Sequence, residues 1–129
     1  MKSPRPPRLT QSALQRAGRF WQRQLRLEDW DVKLVSCRLH ELGEGTLGDI
    51  DFGSGNKCQV KIRVLNHRDI DGQGFWFNGE CWDWEVTLVH ELLHIPMKEA
   101  APKTHTSQAA ERFIHRQSRL LVRLAKARA

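Results

Sequence analysis

The segment TLVHELLHIPM, Thr87–Met97, constrains this chain more than any other. Three ionisable side chains, His90, Glu91 and His94, fall within one turn and a half of an otherwise apolar run. Leu88, Val89, Leu92 and Leu93 make the remaining faces of a helix apolar, so the spacing predicts an interior helix. A neutral imidazole buried without a partner is costly, and a bound metal would resolve that cost. A helix rises ~1.5 Å per residue, which stacks positions i and i+4 on one face. His90 and His94 can therefore aim one ring nitrogen each at a single point, as a zinc ion requires. Glu91 lies one step round the helix from His90. It is badly placed for a third ligand and well placed to hydrogen-bond a water beside the metal, which is the role of a general base in a metallopeptidase.

A catalytic zinc site takes a third protein ligand and keeps one position open. Downstream, Glu99, His105, Glu111 and His115 are the candidates. Glu99 is too near the end of the helix to fold back easily. Glu111 lies in the first turns of a later helix, where packing of Ala110, Phe113, Ile114 and Leu121 can aim it rigidly. Glu111 is therefore the expected ligand. His115, one turn further on the same side, is the expected neighbour or proton donor.

The chain has 129 residues, which argues for one domain. Residues 1–9 read as a disordered, basic, proline-rich leader and residues 10–129 as a single domain. Thr10 is the expected N-cap of a helix running to about Leu27, with Leu14, Ala17, Trp21 and Leu25 along its apolar stripe. Strands are expected over Trp30–Leu39, Leu47–Phe52 and Lys57–Leu65. In the last of these Cys58, Val60, Ile62 and Val64 alternate with polar residues. The central helix should run from about Asp83 to Pro96. A final helix, capped by Thr106 or Ser107, should run nearly to Ala129. The class is α+β: a small antiparallel or mixed three-stranded sheet packed against the N-terminal, central and C-terminal helices. No apolar run approaches the ~18 residues of a membrane span. Cys37, Cys58 and Cys81 are odd in number and widely spaced, which fits buried free thiols in a reducing cytoplasm.

TLVHELLH, with DWEV before it, AAERFIHRQSRLL after it and FWQRQLRLEDWDVKLV near the start, resembles the minigluzincins. These are small zinc peptidase-like proteins, many encoded by phages and prophages. The resemblance covers most of the chain from about Phe20. It implies a minimal zincin fold, with His90, His94 and Glu111 as zinc ligands and Glu91 as general base. It implies hydrolysis of a protein or peptide substrate by a zinc-activated water, in the cytoplasm of a bacterial host if the chain is phage-encoded. It also implies a strand beside the cleft that holds extended substrate, for which KCQVKIRVL is the best match. THTSQAAERF is more loosely similar to the Spartan-like DNA–protein crosslink proteases, which would make His105 the third ligand. Tyrosine is absent, so no phenolic hydroxyl can stabilise an oxyanion. That work falls to His115, His105 or Arg112.

Lys and Arg outnumber Asp and Glu by 21 to 15. Arg112, Arg116, Arg119, Arg123 and Lys126 form one stripe on the last helix, and Arg16, Arg19, Arg23 and Arg26 repeat it on the first. Such stripes suit a solvated face or contact with nucleic acid through its phosphates. The second functional class is accordingly a catalytically weak, zinc-stabilised polyanion-binding protein. Asp69–Glu80 overlays a calcium loop at its first, third, sixth and twelfth positions, but Gln73 occupies the fifth and no helix precedes it, so a turn is expected there. The aromatics Phe75, Trp76, Phe77, Trp82 and Trp84 are expected in the core or the cleft wall.

Overall fold

Thr10 opens the first helix in the computed structural model, which describes residues 9–43, 46–53, 58–66, 76–77, 80–81 and 83–128. Its hydroxyl accepts from the Ala13 amide and caps α1 (Gln11–Gln24). Leu9, just before the cap, and Leu14, in the first turn, occupy the positions of a hydrophobic staple. Both are buried in the same core cluster. Leu9, which the sequence assigns to the leader, is part of the core. α1 ends before Leu27, in a Schellman turn: the amides of Arg26 and Leu27 donate to the carbonyls of Arg23 and Gln22. Arg26 takes the left-handed conformation, φ 59°, that glycine usually fills there.

β1 (Asp31–Cys37) leads through the short α2 (Leu39–Leu42) to β2 (Gly48–Asp51) and β3 (Gln59–Leu65). β3 lies in the middle, parallel to β1 and antiparallel to β2. The sheet is thus mixed. Leu34, Ile62 and Ile50 stand opposite one another across its three strands, and Ile62 is fully buried. The alternation expected in β3 holds for Val60, Ile62 and Val64, whereas Cys58 precedes the strand and is exposed. Cys37 is the buried thiol among the described side chains. β4 (Trp76–Phe77) and β5 (Glu80–Cys81) form a separate antiparallel pair. Most of the calcium-like stretch, with Phe75 and Trp82, lies outside the described residues.

α3 (Trp84–Ala100) packs on β2 and β3 and also meets α1 and α4. Asp83 caps it, accepting from the Glu85 amide. Leu88, Val89, Leu92 and Ile95 are fully buried, each contributing about 1.5–3 kcal/mol. α3 runs on through Pro96, where the sequence predicts its end. The exposed ring forfeits one backbone hydrogen bond; beyond it Lys98 Nζ stands 4.0 Å from the centroid of the Phe52 ring, and the helix closes at Ala100 with the Ala101 amide donating to the Met97 carbonyl. The chain then turns through Thr104 and His105, and Ser107 caps α4 (Gln108–Ala127) by accepting from the Ala110 amide. α4 buries Ile114, Ser118 and Val122 and packs along α3. Among the described residues, then, four helices and a mixed three-stranded sheet make an α+β architecture, and no helix is long and apolar enough to cross a membrane.

Candidate metal centre

The second and third turns of α3 carry His90, Glu91 and His94, and one ligand atom from each lies within 4.8 Å of the others. Helical geometry alone produces this convergence, and the group can hold a metal ion. Burial makes it consequential. Glu91 and His94 are 8% and 4% exposed, while the Glu111 side chain, at 41%, leaves one side of the site open to solvent.

Glu111 reaches the site from the start of α4. One carboxylate oxygen lies 3.0 Å from His90 Nε2 and the other 2.8 Å from His94 Nε2. The carboxylate therefore straddles the two imidazoles, on the side where their Nε2 atoms meet. Ile114, one turn on, is 1% exposed and anchors this part of α4. Phe113, expected to share in that packing, is instead 54% exposed, because it projects from the opposite flank of the helix. The turn after α3 brings His105 to the other face of His94, where the two Nδ1 atoms are 3.2 Å apart. The ring of His115 lies 6.1 Å from that of His90, centroid to centroid. Glu99 is exposed on the last turn of α3.

Burial pushes the imidazoles of His90 and His94 below the usual histidine range, against the upward pull of the Glu111 carboxylate. Both rings are thus inclined to be neutral, the form that binds metal. Burial, reinforced by the carboxylates of Glu111 and Asp49, lifts Glu91 to about 8. Asp49 stands on β2, held by the guanidinium of Arg63, whose Nε donates at 2.9 Å. Gly48, its neighbour, is packed so closely on α3 that a Cβ there would lie 2.6 Å from Thr87 Cγ2 and 3.7 Å from Glu91 Oε2.

Three features of this neighbourhood escape sequence inspection. Asp49 acts on Glu91 across space from a different strand. Gly48 is one of several glycines in its stretch. The contact between His105 and His94 depends on a turn with no sequence signature of its own. The basic side chains expected in stripes are exposed for Arg16, Arg19, Arg23 and Arg26 on α1, and for Arg112, Arg116, Arg123 and Lys126 on α4. Lys126 reaches Asp83.

Two imidazoles and a carboxylate form a nitrogen–oxygen donor set of the kind that holds a divalent transition metal. Comparison with protein-family models, with curated proteins and with solved structures returns no match.

Proposed function

We propose that this chain is a zincin-type metallopeptidase of minigluzincin character, with His90, His94 and Glu111 holding a zinc ion and Glu91 as general base. One observation carries the reading: the Glu111 carboxylate, arriving from another helix, contacts the Nε2 atoms of both histidines at 3.0 and 2.8 Å. A helix that merely exposes two histidines has no reason to meet an acid in that way. His105 is the alternative third ligand, but it faces Nδ1 of His94, away from the Nε2 atoms on which the other donors converge.

Zinc, when bound there, polarises a carbonyl and makes a water acidic enough to be deprotonated near neutrality. Glu91, beside the ligands and lifted to about 8, is suited to take that proton and release it to the leaving amine. The nearby dication favours its carboxylate form, so the lift describes the protein without metal. Arg112 is exposed and His105 is turned to His94. His115 is therefore the best-placed residue to donate toward a developing oxyanion.

The substrate strand needs correction. β3, the KCQVKIRVL segment, has both edges taken by β1 and β2 and cannot accept a further strand. Among the described strands β2 ends the sheet, and its Gly48 borders Thr87 and Glu91. An extended peptide pairing with β2 would be led across Glu91.

Metal analysis and a casein or peptide-library assay on the purified chain test the reading. Glu91→Gln should keep stoichiometric zinc and lose hydrolysis. Glu111→Ala should lose both. Undiminished hydrolysis by Glu91→Gln would remove Glu91 as base, and undiminished zinc in Glu111→Ala would remove the ligand set.

A further inference from the structure

His94 has partners at both ring nitrogens, Glu111 at Nε2 and His105 at Nδ1. We propose that His105 is a positioning residue for the metal site, holding the His94 ring by a hydrogen bond whose direction reverses when a cation binds. The proposal rests on the ligand set assigned above.

Proton accounting on a single ring supports it. A carboxylate only accepts, so a neutral His94 facing Glu111 carries its hydrogen on Nε2 and offers the Nδ1 lone pair to His105. A cation takes the Nε2 lone pair, so the hydrogen must then sit on Nδ1, and His94 becomes the donor. The residue at 105 must serve both arrangements, donating in one and accepting in the other. Imidazole does so by exchanging tautomers. Asparagine does so by turning its amide, and it places that amide close to where Nδ1 lies. Phenylalanine fills the same volume and can do neither.

The setting of His105 is that of a fixed support. Its amide donates to the Ala101 carbonyl at 3.0 Å, which shapes the turn between α3 and α4. Its ring stands edge-to-face with Phe52 just beyond β2, at 6.0 Å between centroids and 81° between planes. Lys98 Nζ lies over the Phe52 ring, 4.0 Å from its centroid. His105 is thus held by the turn and by the end of β2, independently of His94. A ligand imidazole braced through its second nitrogen keeps its orientation and gains basicity, and loss of such a brace typically weakens metal binding 10–100-fold.

Zinc affinity of the full chain, measured by competition with a chromogenic chelator, tests the role for His105→Ala, His105→Phe and His105→Asn. Melting in excess EDTA reports whether each variant folds, and the phenylalanine variant keeps the packing against Phe52. Ala and Phe should bind zinc about 10–100-fold more weakly, Asn should recover most of the loss, and ¹⁵N spectra of the zinc-loaded wild type should place the His94 proton on Nδ1. Wild-type affinity in a folded His105→Phe variant would overturn the proposal. So would complete loss of zinc in His105→Ala with retention in Glu111→Ala, which would make His105 a ligand. A wild-type chain that takes up no zinc would overturn the ligand set itself, a failure visible before any variant is compared.

Discussion

Replacing Glu91 by glutamine should stabilise the metal-free protein, and by an amount that depends on pH. Glu91 is 8% exposed, and its carboxyl is lifted from 4.5 to about 8. Below pH 4.5 it is protonated in the folded and the unfolded chain alike, and contributes nothing to any pH dependence. Between pH 4.5 and about 8 the unfolded chain releases a proton that the fold retains. The folded state then binds more protons, so stability falls as pH rises, and the loss is complete above about 8. At about 1.4 kcal/mol per pH unit, the rise sums to about 4–5 kcal/mol. Glutamine has nearly the same shape, is always neutral and escapes that loss. For a domain of this size each kcal/mol moves Tm by roughly 3–5 °C. In excess EDTA, circular-dichroism melts should coincide near pH 4.5 and separate by roughly 12–25 °C at pH 8.5, with the variant higher. A separation that is the same at every pH would refute the reasoning, because it would show that the buried charge is not what the fold resists.

Other perturbations act on neighbouring parts of the structure. Gly48→Ala should cost about 1–3 kcal/mol in a urea titration, because its Cβ meets Thr87 and the Arg63 carbonyl, at 2.8 Å, together; a neutral result would mean that β2 does not lie so tightly on α3. Arg26→Gly should raise stability by up to about 1 kcal/mol, since Arg26 sits at φ 59°; a clear loss in the same titration would place the Arg26 side chain in an interaction that outweighs its backbone strain. If the arginines of α1 and α4 meet nucleic acid, electrophoretic shifts of random DNA should be strong at low salt and fade steeply as salt rises, and reversing Arg116 and Arg123 to Glu should abolish them without altering zinc content. Absence of any shift at low salt would leave those stripes as solvated faces.

How far the sequence discloses this molecule depends on whether a feature is local. The central helix is legible because apolar periodicity and an i, i+4 histidine pair are properties of a single segment. The cap at Thr10 is legible for the same reason, and that of α4 is narrowed to Thr106 or Ser107, of which Ser107 serves. Misreadings arise where tertiary context overrides local preference. Pro96 marks a stop by its own chemistry, yet α3 continues to Ala100, and Lys98 in that last turn meets the Phe52 ring beyond β2. Arg26 ends α1 in a conformation that normally calls for glycine. Alternation in β3 correctly shows one buried face, but a face says nothing about edges. That β3 is flanked on both sides, leaving β2 at the margin, follows only from strand order. That His90, Glu91 and His94 come together is readable from residue type and spacing. Their arrangement, with Glu111 spanning two rings and His105 behind one of them, required the chain's return through the turn at Ala101–Ser107.

That spanning carboxylate bears on the life of the protein before it meets any ion. Small zinc modules commonly stay unfolded until metal gathers their ligands. Here the two imidazole N–H groups already have an acceptor in Glu111, and Leu88, Val89, Leu92 and Ile95 secure the helix that carries them. On the proposed ligand set, the fold does not wait for the ion: a metal would enter a site whose donors are already gathered, and folding and metallation would be separate events.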